Sequence, residues 1–194
     1  MRSPLPWILS LFAIAALVSS SFADNEDFTG KNIQKRDYTA KSLVKAKFTN
    51  AQCFLCKFIS CKMAGADFKD ADLTSTYFAK ADCTGADFRG AILKYSGFQD
   101  TNLTKANFEG LDVMGTSWLF CNMQGANLKN TKGHTDFNKA DLRGAALHGA
   151  NLLNAKNLEK AKLKGAKYDK NTAWPEGFDY ESSGAVLEEA KKSQ

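Results

Sequence analysis

At 194 residues the chain has room for one domain and a processing segment, and no more. Its formal net charge of +5 comes from 26 basic and 21 acidic residues of interspersed sign. Lysines scattered in this way make a solvated surface, whereas a nucleic-acid binder gathers its Lys and Arg on one face or in one run.

Residues 1–23 have the form of an export signal. Arg2 supplies a short positive start, residues 5–18 form an uncharged apolar run, and Ser21-Phe22-Ala23 places small residues where a signal peptidase inspects them. Cleavage after Ala23 is predicted, leaving a mature chain that begins Asp24-Asn25-Glu26. An uncleaved membrane anchor is the alternative, but the run falls short of the ~20 apolar residues that span a bilayer. No cysteine lies near the cleavage point, which argues against a lipoprotein, and no long Ser/Arg-rich transit region is present. The expectation is an exported protein, free of the membrane after cleavage. Its compartment would be the periplasm or, in a photosynthetic source, the thylakoid lumen.

Residues 26–170 carry a repeat. Every fifth residue is apolar from Phe28, Ile33, Tyr38 and Leu43 through to Val113, Trp118, Met123 and Leu128. In a chain that is 44% hydrophobic, 21 such positions in succession have a chance probability on the order of 10⁻⁷. A period of five fits neither the helix nor the flat strand, so it has to come from a repeating supersecondary unit. Two residues before each apolar centre, from Ala46 to Ala126, the residue is small, with Leu111 the exception. Positions two apart in an extended segment point the same way, so one bulky and one small residue face inward from each unit. The residue just before the centre is often Asp or Asn (Asp67, Asp72, Asp82, Asp87, Asn102, Asn107, Asn127), suited to bonding the backbone of the next turn.

Turn chemistry sets the number of sides. Every twentieth residue from Gly30 (Gly30, Asn50, Asp70, Gly90, Gly110, Asn130) tolerates a left-handed backbone, and Gly65, Gly85 and Gly125 recur in a neighbouring column. Twenty residues therefore make one coil of four five-residue sides. The register slips twice, with a spacing of nine between Leu128 and Phe137 and of six between Leu152 and Leu158. These breaks, near 129–136 and 153–157, are expected to be a bulged corner loop and a one-residue bulge. About seven coils would stack into a rod roughly 34 Å long. Glu26, Lys31, Arg36 and Lys41 occupy small-inward positions of the first coil, which fits only an end open to water. Residues 171–194 form the predicted closing cap: Trp174-Pro175-Glu176-Gly177 breaks the repeat, and residues 184–192 read as a short amphipathic helix.

The runs Ala66-Asp67-Phe68, Ala71-Asp72-Leu73, Ala86-Asp87-Phe88, Ala106-Asn107-Phe108 and Ala126-Asn127-Leu128 resemble the pentapeptide repeat family over about three quarters of the chain. The resemblance implies an all-β fold, a right-handed four-sided parallel β-helix with the centre residues stacked inside. Residues 168–179 are also similar to the closing segment of pentapeptide proteins from cyanobacteria and chloroplast lumens. The family implies no single function, since its members have many or unknown roles.

Candidate chemistry is sparse. The spacing Cys53-x-x-Cys56 with Cys61 nearby is familiar from zinc sites, but Cys53 and Cys83 are centres and Cys56, Cys61 and Cys121 are small-inward residues. They read first as core filler, then as a local disulfide, Cys53–Cys56 or Cys56–Cys61, and least as metal ligands. His134 falls in the first register break and His148 just after a centre, and both read as solvated surface. No phosphate loop, Ser-His-Asp pattern or paired carboxylate appears, and a filled interior leaves no pocket of ligand size. The expectation is a non-catalytic structural or interaction module with no cofactor and no nucleic acid. Candidate contact residues for a protein partner are the outward apolar Phe54, Leu55, Ile59, Tyr95, Leu119 and Phe120. A homodimer through one end of the stack is a further expectation. The alternative borrowed from the family, a duplex-DNA mimic acting on a type II topoisomerase, needs a strongly negative surface and a cytoplasmic address. A basic chain with an export signal fits neither.

Overall fold

The structure is a computed structural model that describes residues 24–189. The predicted export signal at 1–23 and the end of the predicted closing helix lie outside the described residues.

One repeat shows how the sequence builds the fold. Asp67 is extended: its N–H donates to Ala46 O at 2.9 Å in the coil before, and its own carbonyl accepts from Phe48 N–H at 2.6 Å. Phe68 points into the core, its N–H donating to Asp87 O in the coil after at 2.7 Å. The Asp67 carboxylate then accepts the Lys69 N–H at 3.0 Å, which starts the turn. Asp70 adopts φ 56° and donates to Arg89 O at 3.0 Å, after which Ala71 N–H closes the turn on Phe68 O at 3.1 Å. Each repeat thus offers a single extended residue between turns.

Those residues form four ladders of parallel bridges. The first begins Asp27, Lys47, Asp67, Asp87; the second Asn32, Gln52, Asp72, Ile92; the third Asp37, Lys57, Tyr77, Gly97; and the fourth Ser42, Lys62, Asp82, Asn102. Pairing widens to two residues in two places. Strand β1 (Thr116–Ser117) pairs in parallel with β2 (Thr135–Asp136), and β3 (Lys167–Tyr168) with β4 (Val186–Leu187).

Two expectations are corrected here. The expected four-sided parallel β-helix is not formed as closed sheet: regular strand among the described residues amounts to two two-stranded sheets. A unit with one extended residue and a turn on either side has no length of strand to give. The C-terminal helical cap is also absent from the described residues. Gly184 has φ +79°, and the chain beyond it is extended as β4, with Val186 N–H donating to Ala166 O at 2.7 Å and Glu188 N–H to Tyr168 O at 2.8 Å. Parallel pairing to the last coil overrides the amphipathic pattern. The only helix described is a single 3-10 turn, Leu158–Lys160.

The core is sorted by ladder. Phe48, Phe68, Phe88 and Phe108 stack face to face, with successive centroids 4.7–5.0 Å apart. Phe58, Phe78 and Phe98 form a second stack across from them, meeting the first edge-on. The other two ladders bury aliphatic and sulfur side chains such as Leu73, Leu93, Met63 and Leu103. Stacked and edge-to-face arrangements are both favourable for aromatic rings, so the interior is packed throughout.

The register breaks have simple origins. At the first, the bridge offset drops from 20 to 19, from Asp112↔Lys132 to Thr116↔Thr135, so the coil is one residue short rather than bulged. Gly133 stands where a centre belongs. At the second, the 3-10 turn absorbs one extra residue between Lys156 and Lys162. At the start of the stack Lys31 and Arg36 are exposed, and Lys31 Nζ curls back to Asp27 O at 2.6 Å beside the Phe28 ring.

Candidate functional site

The four ladders differ on their outer side. Two of them carry Asp or Asn in most coils and the second ladder in half, each accepting the N–H of the second residue on, as at Asp67, Asp87 and Asn107, at Asp72 and Asp112, and at Asp82, Asn102, Asn122 and Asp141. On Asp141 the Arg143 guanidinium makes a two-pronged pair, and this holds the carboxyl below its ordinary range. The third ladder keeps such caps only toward its ends, at Asp37 and Asp136. Between them stand Lys57, Tyr77, Gly97 and Ser117.

The turns on either side of this ladder carry the outward apolar residues. In the turns leading in, Phe54-Leu55, Thr74-Ser75, Lys94-Tyr95 and Met114-Gly115 are stacked by bonds such as Leu55 N–H to Thr74 O and Tyr95 N–H to Met114 O. In the turns leading out, Ile59-Ser60, Ala79-Lys80, Gln99-Asp100 and Leu119-Phe120 are stacked likewise, with Phe120 N–H donating to Asn138 O. All six sequence-predicted contact residues therefore border one face. Tyr95 and Phe120 are exposed, while Phe54, Leu55, Ile59 and Leu119 are half-buried. Tyr77, Met114 and Leu153 are exposed on the same face; Met114 and Leu153 were not singled out by the sequence.

Bulky apolar residues in left-handed turns mark the same face. Nearly every turn up to Gly149 places its second residue in the left-handed region, in all four columns and not only the glycine-rich ones. Leu55, Tyr95 and Phe120 occupy such positions at φ 58–59°, where Gly or Asn is the easy choice. They are the bulky apolar residues found there, and all three flank the third ladder. Glycines make room beside the tyrosines. A Cβ on Gly115 would come within 2.6 Å of Tyr95 Cδ1, so that ring lies over the next coil. Gly97, next to Tyr77, has no positive φ to require glycine, and leaves the centre of the ladder bare.

Other candidates fare differently. All five cysteines are free thiols, so the local bridges Cys53–Cys56 and Cys56–Cys61 are not formed. The inward thiols act as small donors: Cys56 to Ile33 O, Cys61 to Tyr38 O and Cys121 to Phe98 O, as Thr76 and Thr101 do to Cys53 O and Phe78 O. Burial pushes Cys61 up to about 11 and Cys121 up to about 12, and donation to Cys56, with burial, raises Cys53 well above the usual thiol range; the same bond lowers Cys56, which is shielded by having no exposed surface. At neutral pH the native protein is expected to resist iodoacetamide and to take up five labels once unfolded; labelling of the folded protein would contradict this placement.

His148 is not solvated surface. Its Nε2 lies 3.0 Å from Glu188 Oε2, and Lys167 Nζ lies 2.6 Å from Oε1 of the same carboxylate, tying β4 to the last coil. The interior is filled, but clefts of about 470 and 500 Å³ lie at the C-terminal end, the first edged by Glu159, Glu176 and Asp179 and the second by His148, Asp169 and Glu188. Among the described residues no three His, Cys, Asp or Glu side chains gather where they could hold one metal ion. No helix among them is long and apolar enough to cross a membrane.

Five-residue units stacked in four ladders around a buried interior define a repeat protein. The model of the pentapeptide repeat region matches residues 51–131, and that of the pentapeptide repeats (8 copies) matches residues 133–167, together more than half the chain. The chain belongs to the pentapeptide repeat family and is a structural or protein-interaction module. No curated protein matches it. Among solved structures it is similar to a pentapeptide repeat protein of the Arabidopsis thaliana thylakoid lumen, at 25% identity over 59% of this chain and 66% of that one, with a TM-score of 0.41. A plasmid-mediated fluoroquinolone resistance protein matches at 17% identity over 85% of this chain and 91% of its own, with a TM-score of 0.40. A pentapeptide repeat protein from Nostoc matches at 26% identity over 79% and 85%, with a TM-score of 0.28.

Proposed function

We propose that this protein is an exported interaction module, and that the face built on the third ladder is its docking surface for a protein partner. One observation carries the reading: Leu55, Tyr95 and Phe120 sit in left-handed turns that disfavour them, all beside the ladder whose middle coils lack the Asp/Asn caps. A bulky residue there costs about 1 kcal/mol of fold stability. Lys45 and Lys105 share the conformation elsewhere, but bulky apolar side chains take it only beside this ladder, and strain borne by such residues at a surface points to function. Exposed tyrosine and phenylalanine are also the side chains that anchor interfaces. The leader at residues 1–23 supports export, to a periplasm or to a lumen. The net charge of +5 argues against mimicry of DNA.

The test exploits the strain. Tyr95→Asn and Phe120→Asn together should raise the unfolding free energy by about 1–2 kcal/mol and remove the partner recovered with tagged protein from the exported fraction. Recovery unchanged in a stabilised variant would sink the reading.

A further inference from the structure

The third ladder is self-complementary. In coil order it reads Asp37, Lys57, Tyr77, Gly97, Ser117, Asp136, Lys156. Turned end for end about Gly97, the same series sets Lys57 against Asp136 and Asp37 against Lys156, each pair occurring twice. Tyr77 falls against Ser117, and Gly97 against Gly97. A surface whose charges match its own reversal is what a two-fold, isologous contact requires. Resting on the reading of this face as a docking surface, we propose that its partner is a second copy of this chain, packed antiparallel about an axis through Gly97.

The neighbouring residues agree with that axis. The rotation brings each flanking turn against its own counterpart. Tyr95, in the coil of the axis, meets Tyr95 of the second copy, and Thr74 meets Met114. On the other flank Lys80 meets Phe120, whose ring already lies 5.4 Å from Lys139 Nζ of its own chain. Gly97 explains itself here. It is the outward residue on the axis, where two backbones approach most closely, and no positive φ demands glycine. Within one chain Lys57 already lies 3.7 Å from Asp37, so each end of the interface becomes a ring of alternating charge. Lys94 and Asp100 meet their own copies, but both are exposed at the rim, where water and salt screen them.

The size is adequate. Six coil spacings of about 4.8 Å give a face about 29 Å long, and with both flanking turns about 1,000 Å² is buried in total, the threshold of a specific interface.

Two measurements on the mature chain decide it. Sedimentation at tens of micromolar should show a dimer. Lys57→Asp, which sets carboxylate against Asp136, should give a monomer, and adding Asp136→Lys should restore the dimer. Under mild oxidation Gly97→Cys should cross-link to itself, since a Cβ there meets nothing nearer than Tyr77 at 3.9 Å. A matching Gln52→Cys on the second ladder should not. A dimer indifferent to Lys57→Asp, or one cross-linked through Gln52→Cys instead, overturns the proposal. So does a monomer at every concentration. If that monomer still loses a different captured protein when Tyr95 is replaced, the docking face stands and only self-association falls.

Discussion

Replacing Phe78 by Ala is expected to lower the unfolding free energy by about 3–5 kcal/mol, the range for a buried phenylalanine removed from a core that cannot collapse around the gap. Phe78 has no exposed surface. It stacks on Phe58 at 5.3 Å and Phe98 at 4.6 Å, and meets Phe68 and Phe88 edge-on at 5.6 and 5.9 Å. Each neighbour is held by its own backbone ladder, so none can move in to fill the space. Thermal unfolding followed by circular dichroism should show a fall in Tm on the order of 10 °C. Phe28→Ala makes the comparison. That ring is 6% exposed where Phe78 is fully buried, so its replacement should cost less. Equal effects at the two positions would mean that the aromatic stack does not hold the fold together.

The second large effect is expected at Gly133. Its φ is +115°, and a Cβ there would lie 2.7 Å from Asp112 Oδ1 and 2.8 Å from the backbone N of Met114. The obstacle is main chain, which cannot swing aside as a side-chain tip does. Gly133→Ala should therefore destabilise by about 3 kcal/mol through combined strain and overlap. At Gly110, φ +75° with open space around the missing Cβ, the same substitution should cost about 1–2 kcal/mol. Chemical denaturation of the pair measures the difference. A smaller loss at Gly133 than at Gly110 would show that the shortened coil is not closed by this residue.

The period of five was legible because each repeat has one inward bulky residue, and no other structure puts Phe48, Phe68, Phe88 and Phe108 in line. The first register break was not legible as what it is. A spacing of nine from Leu128 to Phe137 reads equally as an inserted loop or as two repeats less one residue, and only the glycine at 133 hinted at the second. The cap was misread for a different reason. Ala185, Val186 and Leu187 fit a helical stripe, but the last coil presents an unpaired edge, and Val186–Leu187 satisfies it as a strand. Glycine counts also misled. They suggested two left-handed columns of turns, whereas Lys35, Leu55, Tyr95 and Phe120 adopt the same conformation without glycine.

The candidate face was half visible. Outward Phe54, Leu55, Ile59, Tyr95, Leu119 and Phe120 stood out as apolar, but as two separate groups on different coils. What joins them is the third ladder, where Tyr77, Gly97 and Ser117 replace the Asp and Asn found elsewhere. That substitution is written in the sequence as an absence, which the eye passes over. Met114 and Leu153 belong to the same flank and become conspicuous only once the turns are stacked.

The most direct measurement is hydroxyl-radical footprinting of the protein in extract of its native cells, against the same protein purified and dilute. Exposed reactive side chains also lie away from the third ladder, at Ile92 and Leu187, so protection reports which face is covered. The account predicts protection at Tyr77, Tyr95, Met114 and Phe120, with Ile92 on the second ladder and Leu187 in β4 unchanged. Protection centred on Ile92 or Leu187, with Tyr77 and Tyr95 labelled equally in both samples, would contradict it.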